Sequence, residues 1–320
     1  MKKWISLLLA LCLLCAAFAA AAEETETKTE TIRMPFAGMD VTLPEAFAEA
    51  KGTLQMDGPL EFTDTILYTG MVYIGATEEE YAAAEQDPPY AILYYLFSLG
   101  DGMDFSKFNA MVNNTFDPGN AVKLGEAGDW TYYLYMRDPD AEFTASAGAE
   151  FTEEYTELLG MKDQIAAGIA CYEPYQPPVV FTTTDLDGNE VSSADLFAGN
   201  DVTMINVWAT WCGPCVNELE DLQARHKQLQ AQGGGIVGLL YDSNEDALEK
   251  AKAYIEQYGI TYPMLWAPEN LAEIIMVSGY PTSYFVGRDG TVLADPVVGA
   301  YPDLYDAALE AAFAPAKTEE

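Results

Sequence analysis

The chain has 320 residues, half of them hydrophobic, a length that allows about two domains with a sizeable core in each. Its 51 acidic and 15 basic side chains leave a formal charge of −36. Such a surface repels the phosphates of nucleic acid and of anionic lipid, which argues against a nucleic-acid partner and favours solubility.

Residues 1–22 read as a secretory signal, with Lys2 and Lys3 as the charged start, 5–18 as the apolar core and 19–22 as a run of alanines suited to cleavage. Cleavage after Ala22 makes Glu23 the first residue of an exported, extracytoplasmic protein, whether periplasmic, cell-envelope or secreted. Retention as an anchor is the alternative, because 4–22 is nearly long enough to span a bilayer. Cys12 and Cys15 lie in this leader, and the three remaining cysteines are too few for a disulfide scaffold.

Residues 23–173, after a polar lead-in at 23–28, are expected to form an α+β domain. The runs 65–74, 91–99 and 130–137 are rich in Tyr, Ile, Val and Leu, as strands require. Residues 105–114 and 153–170 return apolar side chains every three or four positions and read as helices. Together they suggest an antiparallel sheet covered by helices on one face, with Cys171 as a buried thiol at the end of the second helix. No cluster of His, Cys or paired acids stands out in this half, and its role is not legible. Three prolines in 174–178 prevent helix and mark an extended linker.

Residues 179–316 alternate strand and helix. A hairpin at 179–191 turns on Asp187-Gly188-Asn189, and strands follow at 202–208, 236–241, 261–266, 282–286 and 291–293. Helices are expected at 214–232, 245–258, 270–276 and 303–313, the second opened by a capping box of Ser243 and Asp246 and stopped by Gly259. The pattern gives a mixed sheet with helices on both faces.

Trp211-Cys212-Gly213-Pro214-Cys215 stands between the 202–208 strand and the helix after it. Two thiols so spaced can close a disulfide ring and reopen it, and the partial positive charge of the helix N-terminus favours thiolate at Cys212. A zinc half-site and a plain structural disulfide are the rival readings, and the second is disfavoured because closing so short a loop constrains the unfolded chain little. His226, the only histidine, lies eleven residues beyond Cys215, about 16 Å along a continuous helix, so it cannot share a metal with the cysteine. No metal and no cofactor is expected. His226 falls on a stripe with Leu219, Leu222 and Leu229, which reads as a packed histidine rather than a base.

With 181–188, 205–215 and 279–286, this motif resembles the TlpA/ResA-like thiol–disulfide oxidoreductases of the thioredoxin superfamily. The resemblance spans about 179–313 and implies a thioredoxin-like fold there. It assigns Cys212 as the attacking nucleophile, Cys215 as the resolving thiol and Pro281 as a cis-proline facing the disulfide. Glu218 matches a buried acid that exchanges a proton with the resolving thiol, and it lies one helical turn beyond Cys215. Asn206 stands where cytosolic thioredoxins carry a buried Asp. Trp211, Gly213, Pro214, Tyr280 and Thr282 are the expected substrate contacts, Tyr280 being larger than the aliphatic or Thr residues common at its position. The implied partners are disulfide-bonded or thiol proteins and a membrane electron donor. The Gly-Pro spacer is that of reducing thioredoxins, at about −270 mV, rather than of the oxidant DsbA at about −120 mV, which points to a reductase. Two rivals are a thiol peroxidase on the same fold and an adaptor working through the amino-terminal domain. Ala209 stands where peroxiredoxins place a Thr, and a scaffold has no need of both thiols.

Overall fold

The computed structural model describes residues 31–314, apart from 64, 85 and 243. The leader at 1–22 and the lead-in at 23–28 lie outside the described residues. The chain divides into two compact units between Tyr175 and Gln176. Among the described residues no helix is long and apolar enough to cross a membrane.

In the first unit a short hairpin of β1 (Thr31–Met34) and β2 (Met39–Thr42) precedes α1 (Glu45–Ala48). The main sheet then builds from β3 (Thr53–Thr63), β4 (Ile66–Ile74), β5 (Tyr90–Leu99), β6 (Ala121–Ala127) and β7 (Trp130–Met136), all antiparallel in the order β3-β4-β5-β7-β6. Helix α2 (Glu78–Ala83) and α3 (Phe105–Met111) lie between strands, and α4 (Ala141–Ser146), α5 (Ala149–Leu159) and α6 (Lys162–Ala167) follow them. The unit ends on β8 (Ile169–Cys171), which pairs with β2.

Period-two alternation explains the aromatic content of β7. Tyr132, Leu134 and Met136 join Phe143, Tyr155, Leu158 and Ile165 of α4, α5 and α6 in one core. Tyr133 and Tyr135 join Phe105 and Phe108 of α3 in another. Helices therefore cover both faces of this sheet, and the expectation of one covered face is corrected. The single helix expected at 153–170 is corrected as well, because the chain leaves helix at Gly160 and again at Gly168. A Cβ at Gly168 would stand 2.0 Å from the Thr42 carbonyl oxygen, so only glycine lets β8 come alongside β2. Cys171 thus sits in a strand, half-buried, with burial pushing its thiol up to about 11. A thiol so protonated is a poor nucleophile at neutral pH.

The second unit opens with the paired strands β9 (Thr182–Thr184) and β10 (Glu190–Ser192) and with α7 (Ser193–Phe197). Its five-stranded sheet comprises β11 (Val202–Trp208), β12 (Gly234–Leu240), β13 (Met264–Trp266), β14 (Thr282–Val286) and β15 (Val292–Val298), in the order β13-β12-β11-β14-β15. β12 runs parallel to β11 and β13, whereas β14 is antiparallel to β11 and β15. Helices α8 (Gly213–Gln230), α9 (Glu245–Tyr258), α10 (Leu271–Ile274) and α11 (Pro302–Phe313) complete it. Central strand β11 is buried at all seven positions, as a strand covered on both faces must be. Met204 and Trp208 of β11 pack with Leu219 and Leu222 of α8 and with Tyr305 and Leu309 of α11. This mixed, helix-covered sheet is the thioredoxin-like architecture expected.

One detail of α9 is corrected. Its N-cap is Asn244, whose side chain accepts from the Ala247 N–H at 2.9 Å, in place of a Ser243–Asp246 box; Ser243 lies outside the described residues. Gly259 ends the helix at φ 58°, a left-handed conformation that favours glycine.

Candidate active site

The site begins where β11 ends. A strand buried on both faces delivers Trp208 to the core, and the next residues turn into α8. Asp242, just beyond β12, braces that turn: its carboxylate accepts from the Thr210 N–H at 3.1 Å and from the Thr210 hydroxyl at 2.5 Å. Cys212 is the N-cap of α8, and its Sγ accepts from the Cys215 N–H at 3.2 Å, the place usually taken by a capping oxygen. Pro214 in the first turn has no N–H to leave unpaired. The two sulfurs are bonded at 2.00 Å, Cys212 being 5 % exposed and Cys215 fully buried. A nucleophile at this cap faces the positive end of an 18-residue helix, which stabilises a thiolate there.

The buried stripe of α8 carries Cys215, Glu218, Leu219, Leu222, Gln223, His226 and Leu229. Glu218 is a carboxyl in the core. Asn206 Nδ2 donates to its Oε1 at 3.0 Å, and the Tyr305 hydroxyl donates to its Oε2 at 2.9 Å. Burial pushes Glu218 up to about 7, while the bonds from Tyr305 and Asn206 and the charge of Arg225 pull the other way. The group therefore exchanges its proton near neutral pH. Asn206 spends its second amide hydrogen on Ser283 Oγ, its cross-strand neighbour on β14, at 3.1 Å.

His226 has a different task. Its Nδ1 accepts from the Ile236 N–H at 3.1 Å, and burial lowers its pKa below 6.5. β13 pairs with β12 only from Gly238 onward, so the histidine serves the ladder position two residues earlier. His226→Phe is expected to destabilise the protein by about 1–3 kcal/mol, since it strands a buried N–H, as urea unfolding at pH 7 would measure. A histidine held neutral contributes fully above its unfolded pKa of 6.5, and the contribution is lost as pH falls through the lower folded value.

Across from the disulfide motif, the Tyr280–Pro281 peptide is cis. The Tyr280 ring meets Trp211 edge-on at 5.4 Å and Tyr241 at 5.1 Å, which puts this loop beside the residue that precedes Cys212. Trp211, Gly213 and Pro214 are exposed, Trp211 at 40 %, and Tyr280 is half-buried. Thr282 is different: it is fully buried and its hydroxyl donates to the Gly279 carbonyl at 2.6 Å, so its side chain is not presented to a substrate. The structure thus gathers Trp211, Cys212, Gly213, Pro214, Cys215, Tyr280 and Pro281 at one end of the sheet, with Glu218 beneath. Asp242, Ser283 and Tyr305 went unnoticed in the sequence. An acid just past a buried strand was the one local signal for Asp242, whereas Tyr305 reads as one more apolar position on an i, i+4 stripe with Leu309. Among the described residues no three His, Cys, Asp or Glu side chains come together to hold a metal.

A family model described as the AhpC/TSA family matches residues 176–294. The chain is 31 % identical over 118 residues to the thiol-disulfide oxidoreductase ResA of Bacillus thuringiensis subsp. konkukian, a match covering 36 % of this chain and 64 % of that protein. It is 28 % identical over 112 residues to the thioredoxin-like protein YneN of Bacillus subtilis, covering 35 % and 64 %. The chain therefore spans somewhat under two thirds of the length of these curated relatives. Among solved structures, a thiol:disulfide interchange protein of the thioredoxin family from Chlorobium tepidum is similar at 30 % identity, covering 45 % of this chain and 99 % of that one, with a TM-score of 0.36.

Proposed function

We propose that the chain is an exported thiol–disulfide oxidoreductase that reduces protein disulfides through a Cys212/Cys215 cycle. The observation that carries this reading is a pair of bonded cysteines at the N-terminus of α8 with an ionisable carboxyl buried one turn further on. The similarity to the ResA proteins supports it.

Reduced Cys212 attacks one sulfur of a substrate disulfide and forms a mixed disulfide, and the displaced substrate sulfur takes up a proton. Cys215 gives its proton to Glu218 and attacks the Cys212 sulfur, which closes the Cys212–Cys215 bond and expels the second substrate sulfur as a thiolate that takes up a proton from water. Two electrons pass to the substrate, whose sulfurs take their two protons from water while Glu218 holds the one from Cys215, and a membrane electron donor restores the dithiol. Trp211, Gly213, Pro214, Tyr280 and Pro281 receive the substrate segment, and Thr282 acts through its backbone as the first residue of β14. The leader-like residues 1–22 support an extracytoplasmic location.

An equilibrium redox titration of the protein, with Cys212 and Cys215 followed by alkylation, tests the direction. The expected midpoint lies below roughly −230 mV. A midpoint above roughly −180 mV would mark an oxidase or isomerase, and no reversible disulfide would sink the whole reading.

A further inference from the structure

The Tyr305 hydroxyl has more acceptors than protons. It stands 2.9 Å from Glu218 Oε2 and 2.9 Å from the Gly299 carbonyl oxygen, yet a phenol donates one hydrogen bond at a time. The rest of the ring is fixed. Asn206 donates one amide hydrogen to Glu218 Oε1 and the other to Ser283 Oγ, and Ser283 in turn is hydrogen-bonded to Tyr305. Only the proton shared by Tyr305 and Glu218 is free to choose.

The choice follows the charge on Glu218. When the carboxyl is ionised, Tyr305 donates to it, and the Gly299 carbonyl still accepts from the Tyr301 N–H at 3.1 Å. When the carboxyl is neutral, its proton sits on Oε2, because Asn206 holds Oε1 as an acceptor. Glu218 then donates to Tyr305, and Tyr305 turns its own proton to the Gly299 carbonyl. No buried group is stranded in either state, so the exchange is inexpensive. Gly299 is also tied to the substrate loop, since its N–H donates to the Pro281 carbonyl at 2.7 Å.

We infer that Tyr305 is a positioning residue for proton exchange at Glu218: its hydroxyl stabilises the ionised carboxyl and passes the change in protonation to the Gly299–Pro281 strand end. The inference rests on the reading of Glu218 as the proton partner of Cys215. The charged and titratable groups facing Glu218 are Arg225 and Asp221 from its own helix, Tyr305 from α11 and Tyr262 from the segment before β13. Arg225 is occupied by Asp306 and by the face of the Tyr305 ring, 5.7 Å from its centroid. Tyr305→Phe keeps that ring and removes the hydroxyl alone.

The test is a carbon-13 NMR titration of the glutamate carboxyls in the full, oxidised chain, with the Glu218 signal assigned by its loss in Glu218→Gln. Tyr305→Phe is expected to raise the Glu218 midpoint by up to about one pH unit, because the charged carboxyl loses a stronger hydrogen bond than the neutral one does. Ser283→Ala, which retains Tyr305, is expected to raise it by less. A midpoint unmoved in Tyr305→Phe would overturn the proposal, whatever that variant does to stability. The parent reading is judged separately by the pH profile of disulfide exchange. A profile identical in wild type and Glu218→Gln overturns proton exchange between Glu218 and Cys215, whatever the NMR midpoint does.

Discussion

Cys212→Ser is expected to abolish disulfide exchange, with a loss on the order of a thousandfold or more, because the proposed covalent route begins at its sulfur. Cys215→Ser is expected to do something different. The first attack survives, the second is impossible, and the protein accumulates as a mixed disulfide with its substrate. Non-reducing electrophoresis after exposure to a disulfide-bonded protein would show an adduct that dithiothreitol releases. The asymmetry has a structural cause: Cys212 is the N-cap, where the helix dipole and the Cys215 N–H both favour a thiolate, whereas Cys215 is fully buried behind it. Adducts formed by Cys212→Ser and not by Cys215→Ser would reverse the two roles.

Most of the second unit was legible because its signals are local. The apolar run 202–208, the Pro214 start of α8 and the glycine stop of α9 each name an element without reference to the rest of the chain. Glu218 was legible from its place one helical turn beyond Cys215 together with the resemblance to proteins that carry a buried acid there. What surrounds it was not, since Asn206 and Tyr305 reach it from two other elements, Tyr305 across 87 residues, and Ser283 stands behind Asn206 on a third. A tyrosine on an apolar stripe gives no hint of where its hydroxyl points. The first unit was harder for a similar reason. Strand β6 has the weak pattern Ala121–Ala127 and owes its place to pairing with β7, and the 153–170 run broke because β8 is recruited by β2. In both cases tertiary pairing overrode local propensity.

The buried carboxyl also makes the fold pH-dependent in a direction opposite to that of a salt-bridged acid. Glu218 goes from an ordinary 4.5 in the unfolded chain to about 7 in the folded one. The folded state therefore holds the proton more tightly, and this contribution is full below about 4.5 and lost as pH rises through 7. At about 1.4 kcal/mol per pH unit, the gap of about 2.5 units between those values amounts to about 3 kcal/mol. Glu218→Gln keeps the shape of the neutral acid and cannot ionise. Its stability relative to wild type is expected to be nearly constant at pH 4 and below, and to grow by about 3 kcal/mol by pH 9. Urea unfolding of the oxidised proteins across that range isolates the effect, because Cys212 and Cys215 then carry no titrating proton and the other acids cancel in the comparison. A difference that stays flat with pH would mean that Glu218 ionises in the fold as readily as it does in water, and would remove it as a proton store for the resolving thiol. A difference that grows as expected means that the fold tolerates a charge-averse carboxyl beneath its disulfide at a cost in stability, a cost that an apolar residue at the same position would not carry.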